Sequence, residues 1–272
     1  MSEEISFQSY DQVPLEGTLE GPETADVGVV LAHGLTVDRD EYNNFYVQLA
    51  EELAEHDICS LRFDYRGHGS SGGSPKEMTV IGELLDLRAA LDTLETEADI
   101  SNMGIIATSF GACSTALCVS RYPKRMDAVC LFSPVLSFEL TYLDPPVDSV
   151  KSPLLTPEHE QELRESGSIT RPDSFELGAQ LIEEFGIIEP YEHLSETNVP
   201  TLTIHGVSDD VVPPVISRMH GVPNIDSEYL ELPNVGHGFF APDDLEGEDE
   251  LTISSQETAI EKGVEWMLEY LT

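Results

Sequence analysis

Ile105-Ile106-Ala107-Thr108-Ser109-Phe110-Gly111 carries a serine from the end of a buried apolar run into the start of a helical stretch, with small residues two before and two after it. A strand that passes directly into a helix needs a sharp turn. That turn exposes the serine hydroxyl only if its neighbours are small enough for strand and helix to approach each other. The pattern is G-x-S-x-G with Ala107 in the first glycine position. Alone it is a weak signal, because a serine capping a helix after a strand reads the same way. The surrounding sequence decides.

From about residue 27, short apolar runs alternate with segments of helical period, the signature of parallel strands joined by crossover helices. The class is α/β. Strands are expected at Val27 to Ala32, Ile58 to Asp64, Met103 to Ala107, Ala128 to Phe132, Thr201 to His205 and Glu228 to Leu232. Helices are expected at Phe45 to Glu55, Val80 to Leu94, Phe110 to Ser120 and Ile260 to Tyr270. In the second of these, Leu84, Leu87, Leu91 and Leu94 recur at spacings of three and four and form one apolar face for the sheet.

Residues 134–198 break the rhythm with prolines and charges, as in Asp144-Pro145-Pro146, Ser152-Pro153 and Thr156-Pro157, and with helical stretches around Glu158 to Glu165 and Phe175 to Phe185. No linker or internal repeat divides the chain, so residues 1–272 read as one domain with 134–198 inserted. An insertion near the carboxyl ends of a parallel sheet lies over the ligand crevice and is expected to act as a cap.

Two more loops follow strands and carry chemistry. Asp209 lies in His205-Gly206-Val207-Ser208-Asp209-Asp210-Val211-Val212-Pro213, and His237 in Asn234-Val235-Gly236-His237-Gly238-Phe239. Serine, acid and histidine in this order, each at a strand end, form a nucleophilic relay. His237 takes the Ser109 proton, and Asp209 fixes the imidazole tautomer. Asp210 is the rival acid, but the spacing from His205-Gly206 and to Val212-Pro213 favours Asp209. His33-Gly34-Leu35 follows the first central strand, so the oxyanion donors are assigned to the backbone amides of Leu35 and Phe110, the latter at a helix N-terminus.

With these motifs in hand, the chain resembles the α/β-hydrolase superfamily, particularly the bacterial cinnamoyl (feruloyl) esterase-like serine hydrolases. The resemblance runs from about Gly28 to Leu271. Its most specific pieces are His33-Gly34, Leu61-Arg62-Phe63-Asp64-Tyr65-Arg66-Gly67-His68-Gly69-Ser70-Ser71, the turn at Ser109, the block from His205 to Pro213, and Gly236-His237-Gly238-Phe239. It implies an α/β-hydrolase fold with a mostly parallel central sheet, and an esterase acting on a small-molecule ester through an acyl-enzyme, without metal or organic cofactor. Ala107, and Leu35 where phenylalanine is common, depart from the group's pattern. A thioesterase, acyltransferase or peptidase would use the same relay, and a non-catalytic ligand receptor would keep only the fold.

Other signals are weaker. Gly67-His68-Gly69-Ser70-Ser71-Gly72 fits G-x-G-x-x-G, but Ser74-Pro75 follows where a dinucleotide site needs a helix. The histidines form no H-E-x-x-H, so His33 and His205 read as packing or turn residues. The acidic run from Asp243 to Glu250 reads as a solvated loop. Cys59, Cys113, Cys118 and Cys130 lie in apolar segments and read as buried free thiols.

The chain holds 52 acidic against 13 basic residues among 272, a formal charge of -39, with 40% hydrophobic residues. That is too apolar for a disordered acidic tail and too negative for nucleic acid. Such self-repulsion favours a salt-rich interior, since at ~1 M salt the Debye length falls to about 3 Å, and a halophilic source is expected. Met1 to Tyr10 lacks a basic and an apolar stretch, and no run reaches the roughly 18 apolar residues of a membrane span. A cytoplasmic protein without membrane contact is expected. Oligomeric state is not legible, which leaves a homodimer open.

Overall fold

The computed structural model describes residues 2–22, 24–146, 156–244 and 246–272. Strands β1 (Ser2–Gln8), β2 (Pro14–Glu20), β3 (Val27–Ala32), β4 (Cys59–Phe63), β5 (Asn102–Thr108) and β6 (Ala128–Phe132) precede the inserted segment. The segment holds helix α4 (Pro157–Ser166), the paired strands β7 (Ser168–Thr170) and β8 (Glu176–Gly178), and helices α5 (Ala179–Phe185) and α6 (Pro190–Ser195). Strands β9 (Thr201–Gly206) and β10 (Glu228–Leu232) follow. The remaining helices are α1 (Phe45–Glu55), α2 (Val80–Ala98), α3 (Gly111–Arg121), α7 (Pro214–His220) and α8 (Glu250–Leu271).

Among the described residues, eight strands form one sheet in the order β1-β2-β4-β3-β5-β6-β9-β10. Pairing is parallel from β4 to β10 and antiparallel only where β2 joins β1 and β4. This is the α/β-hydrolase fold. The central strands are covered on both faces, which is why they read as continuous apolar runs rather than alternating ones. One layer packs Phe45, Leu49 and Leu53 of α1 with Ile260, Val264 and Met267 of α8. The opposite layer packs Leu84, Leu87 and Leu91 of α2 with Ala116 and Leu117 of α3. All four cysteines are buried free thiols.

The structure departs from the sequence reading in identifiable places. Strands β1 and β2 were not expected: β1 sits at the sheet edge and alternates the exposed polar residues Glu4, Ser6 and Gln8 with the half-covered Ile5 and Phe7, so it has no apolar run. Helix α8 begins ten residues before Ile260. Its first turns bury the polar face Thr252, Ser255 and Gln256, which hydrophobic periodicity does not register. Those polar groups are used: Thr252 Oγ1 donates to Asp244 at 2.6 Å, and Gln256 Nε2 donates to Gly238 O at 3.0 Å. Asp244 is therefore not part of a merely solvated loop. Helix α7 was also missed, because it is short and presents Val215 and Met219 to solvent.

In the inserted segment, the helix expected from Phe175 starts only at Ala179, with Gly178 as its N-cap. Glu176–Gly178 pairs instead with β7, and a Cβ at 178 would lie 1.9 Å from Lys76 O, so glycine lets this strand press against the body of the fold. Ser152-Pro153 lies outside the described residues.

Strand and helix approach closely at the start of α3. A Cβ at Gly111 would lie 2.4 Å from Ala32 O and 2.6 Å from His33 O, both backbone atoms that cannot rotate aside. Gly111→Ala is therefore expected to lower stability by about 1–3 kcal/mol through overpacking. Urea denaturation of the variant beside the wild type measures this.

Candidate active site

Ser109 sits between β5 and α3 with φ 51°, in the left-handed region that L-residues avoid. Neighbouring backbone holds it there: Ser109 N–H donates to Phe132 O at 2.9 Å, and Val135 N–H donates to Ser109 O at 2.9 Å. Ala107, in the usual glycine position, is fully buried between β3 and β6, and its methyl group is accommodated in the core. The turn forms without the first glycine. Gly111 is the residue the close approach requires.

His237 follows β10 in the loop Gly236–Phe239, and Asp209 follows β9. The side chains predicted as a relay lie within hydrogen-bond reach in series. His237 Nε2 is 3.0 Å from Ser109 Oγ, and His237 Nδ1 is 2.8 Å from Asp209 Oδ2. Asp209 is 5% exposed and saturates its oxygens: Oδ1 accepts from Val211 N–H at 2.9 Å and Val212 N–H at 2.8 Å, and Oδ2 also accepts from His205 Nε2 at 3.1 Å. It is the Asp209 carboxylate that lies 2.8 Å from His237 Nδ1, while Asp210 contributes charge near the imidazole.

Burial by itself would push the Asp209 carboxyl up, but the charge on His237 and the hydrogen bonds from His205 and His237 outweigh it. The group is held well below the usual carboxylate range. Burial likewise pulls His237 down, and the Asp209 charge and hydrogen bond more than reverse this, leaving it above its ordinary value.

His205, expected as a packing or turn residue, is a direct neighbour of Asp209. It is buried, its Nδ1 accepts from Ser217 Oγ at 2.8 Å, and its Nε2–H is shared between Asp209 and Val212 O at 3.1 Å. The i, i+4 spacing of His205 and Asp209 was the one available hint. Leu35 lines the same cavity as Ser109, and Phe110 follows Ser109 in the chain. Among the described residues, no protein acceptor takes the backbone N–H of either. Two further side chains sit at the Leu35 turn: His68, from the Arg66–Ser71 motif, and Glu41, which no sequence motif announces.

A cavity of about 360 Å³ opens over Ser109 and His237. Its apolar walls include Leu35, Tyr42 and Phe240, and the inserted segment contributes Tyr142, Arg171 and Asp173. Of the aromatics in that segment, Phe138 is buried against Phe185 at 4.4 Å, Tyr142 stacks on Phe185 at 5.0 Å while facing the cavity, and Phe175 covers His68 at 4.9 Å. A larger, more open groove of about 510 Å³ between β1 and α2 lacks a nucleophile–base pair. Among the described residues, no three His, Cys, Asp or Glu side chains converge as a metal-binding group, and no helix is long and apolar enough to cross a membrane.

Fold and site together define an α/β hydrolase. Residues 23–160 match the family model described as serine aminopeptidase, S33, and the chain belongs to that family. An uncharacterised protein of Mycobacterium tuberculosis is 28% identical over 213 residues, covering 77% of this chain and 62% of the relative, so the match spans about three fifths of that protein's length. Among solved structures, Est1E of Butyrivibrio proteoclasticus with bound ferulic acid superposes with a TM-score of 0.76 at 20% identity, covering 97% of this chain and 99% of that one. The Pyrococcus furiosus esterase Pf2001 superposes with a TM-score of 0.66 at 19% identity, covering 100% and 94%. At these identities the superpositions establish the fold.

The His237–Asp209 pair generates a pH prediction. Because His237 protonates above its ordinary value, hydrolysis should rise with pH through an apparent pKa above the ~6.5 of free imidazole. Asp209→Asn should lower kcat by about 10⁴ by stabilising the wrong tautomer, as measured by kcat/KM across pH 5 to 9.

Proposed function

We propose that the chain is a serine hydrolase of carboxylic esters, with Ser109, His237 and Asp209 as its catalytic triad. The observation that carries the reading is the continuous Ser109–His237–Asp209 hydrogen-bond chain at 3.0 and 2.8 Å, opening on a cavity of mixed apolar and polar walls.

In this mechanism Ser109 Oγ attacks the ester carbonyl carbon while its proton passes to His237 Nε2. The resulting imidazolium is stabilised by Asp209, and the carbonyl oxygen, now an oxyanion, accepts from the Leu35 and Phe110 amides. Collapse breaks the ester C–O bond, and His237 returns the proton to the departing alcohol. Water, deprotonated by the same imidazole, then attacks the acyl-enzyme, releasing the acid and restoring Ser109. Each donor of this kind is worth about 10²–10³ in rate.

The inserted segment 134–198 acts as a cap on this reading, since Tyr142, Arg171 and Asp173 stand in the cavity wall. A peptidase is the second reading, supported by the description of the family. The ester reading takes precedence because two neighbours of the fold carry an esterase name or a bound ferulic acid in their descriptions. The charge of -39 supports the further proposal that the enzyme works in a salt-rich cytoplasm.

A chain-length series of nitrophenyl esters, assayed in multimolar KCl with the wild type beside Ser109→Ala, tests the activity. Turnover in the wild type and its loss in the variant is the expected result; a folded wild type that cleaves only aminoacyl amides would favour the peptidase. In the same samples the thermal midpoint should climb with added KCl, and a flat midpoint would remove the halophile proposal.

A further inference from the structure

The amide of Leu35 stands between two amides that the protein itself takes up. Gly34 N–H donates to Glu41 Oε1 at 2.6 Å, and Thr36 N–H donates to His68 Nε2 at 3.3 Å. His68 in turn directs Nδ1–H at Arg66 O, 3.1 Å away, which leaves the Nε2 lone pair for Thr36. We propose that Glu41 and His68 are positioning residues that clamp the turn 34–36 from both sides, so that the Leu35 amide alone is left to receive an oxyanion. This inference rests on the serine-hydrolase reading of Ser109.

Packing ties the clamp to the reacting atoms. A Cβ at Gly34 would lie 3.2 Å from Ser109 Cβ and 3.4 Å from Glu41 Oε1, so Ser109 and Glu41 both flank the turn closely. Glu41 lines the same cavity as Ser109 and His237. The backbone bends to bring it there: Thr36 and Glu41 have φ of 70° and 59°, left-handed conformations that a β-branched residue and a glutamate adopt only under constraint. Tyr46 anchors the far end of the loop, with its hydroxyl donating to Ala32 O at 2.9 Å and lying 2.8 Å from Thr108 Oγ1. This fixes the return of the chain to the ends of β3 and β5.

The charge states suit the two roles differently. Burial, aided by neighbouring His33, takes His68 down to about 3, so it stays a neutral acceptor across the working range. Burial raises Glu41 to about 7, against the opposing pull of the Gly34 N–H and of His237, with Asp38 adding to the rise. Glu41 in its ionised form also faces His237, alongside Asp209 and Asp210, and helps to hold the imidazole proton. Glutamine at 41 would keep an acceptor for Gly34 but remove that charge.

Steady-state kinetics of nitrophenyl ester hydrolysis across pH, and the rate of phosphonylation by a fluorophosphonate, are measured for wild type, Glu41→Ala, Glu41→Gln and His68→Ala, with melting curves confirming folded protein. Glu41→Ala should lose about 10–100-fold in kcat with KM within about twofold, as for a weakened oxyanion donor, and phosphonylation should slow in parallel. Glu41→Gln should recover most of that loss while shifting the acid limb of kcat/KM to lower pH. His68→Ala should lose about tenfold in kcat, since it releases the longer of the two bonds. Wild-type kcat in folded Glu41→Ala, a loss confined to KM, or a Glu41→Gln variant as impaired as Glu41→Ala with an unmoved acid limb would overturn the proposal. A wild type that is phosphonylated but hydrolyses no ester would defeat only the ester assignment, and the phosphonylation rates would still decide the clamp. A wild type that resists phosphonylation would overturn the clamp and the nucleophile together.

Discussion

The first turn of α3 lies so close to the end of β3 that a methyl group at Gly111 would overlap the Ala32 and His33 carbonyls. Everything reactive in the molecule is arranged around that approach. It brings the left-handed Ser109 turn beside the turn that follows β3, where a Cβ at Gly34 would lie 3.2 Å from Ser109 Cβ. Because the contact is backbone against backbone, the distance between the Ser109 turn and the turn after β3 does not depend on a rotamer. Preorganisation of this kind is what an oxyanion site needs, since donors already in place cost no reorganisation during reaction.

Around this contact the electrostatics divide into charged and neutral members. Asp209 stays ionised although buried, because four donors converge on it, and its charge raises His237. His33 and His68 stay neutral because burial outweighs their hydrogen bonds, and both serve the backbone: His33 Nε2 accepts from Tyr65 N–H at 3.0 Å, and His68 accepts from Thr36. Two buried arginines brace the scaffold. Arg66 bridges Asp11 and Asp86, each at 2.7 Å, and Arg62 bridges Glu20 and Asp40, at 2.5 and 2.9 Å, joining the edge strands and the loop after β3 to the body of the sheet. The glycine loop after β4 is held by Asp64, which accepts from Ser70 N–H at 2.8 Å and from Arg39 N–H at 2.8 Å; a Cβ at Gly69 would lie 2.3 Å from that carboxylate. A dinucleotide-like pattern is thus explained by the folding of a loop around one buried acid.

The parallel core was legible because strands covered on both faces must be apolar throughout. The relay candidates were legible because each stands in a short loop next to a readable strand. What escaped the sequence reading depends on tertiary contact. The edge strand β1 lacks an apolar run, and the first turns of α8 bury Thr252 and Gln256, whose partners lie in the Ala241 to Asp244 loop and at Gly238. In the inserted segment, Gly178 marks a close approach rather than a helix interior. His68 and His205 stand in readable motifs, but their bonds to Thr36 and Asp209, like that of Glu41 to Gly34, are set by tertiary contact that local composition does not reveal.

The central claim is that Ser109 is a nucleophile activated by His237 and Asp209. Its most direct test is to treat the folded protein with a fluorophosphonate and locate the adduct by peptide mass spectrometry. The account predicts a single adduct on the peptide that carries Ser109, lost in Ser109→Ala and formed far more slowly in His237→Ala. An adduct on any other residue, or one that persists in folded Ser109→Ala, would contradict it.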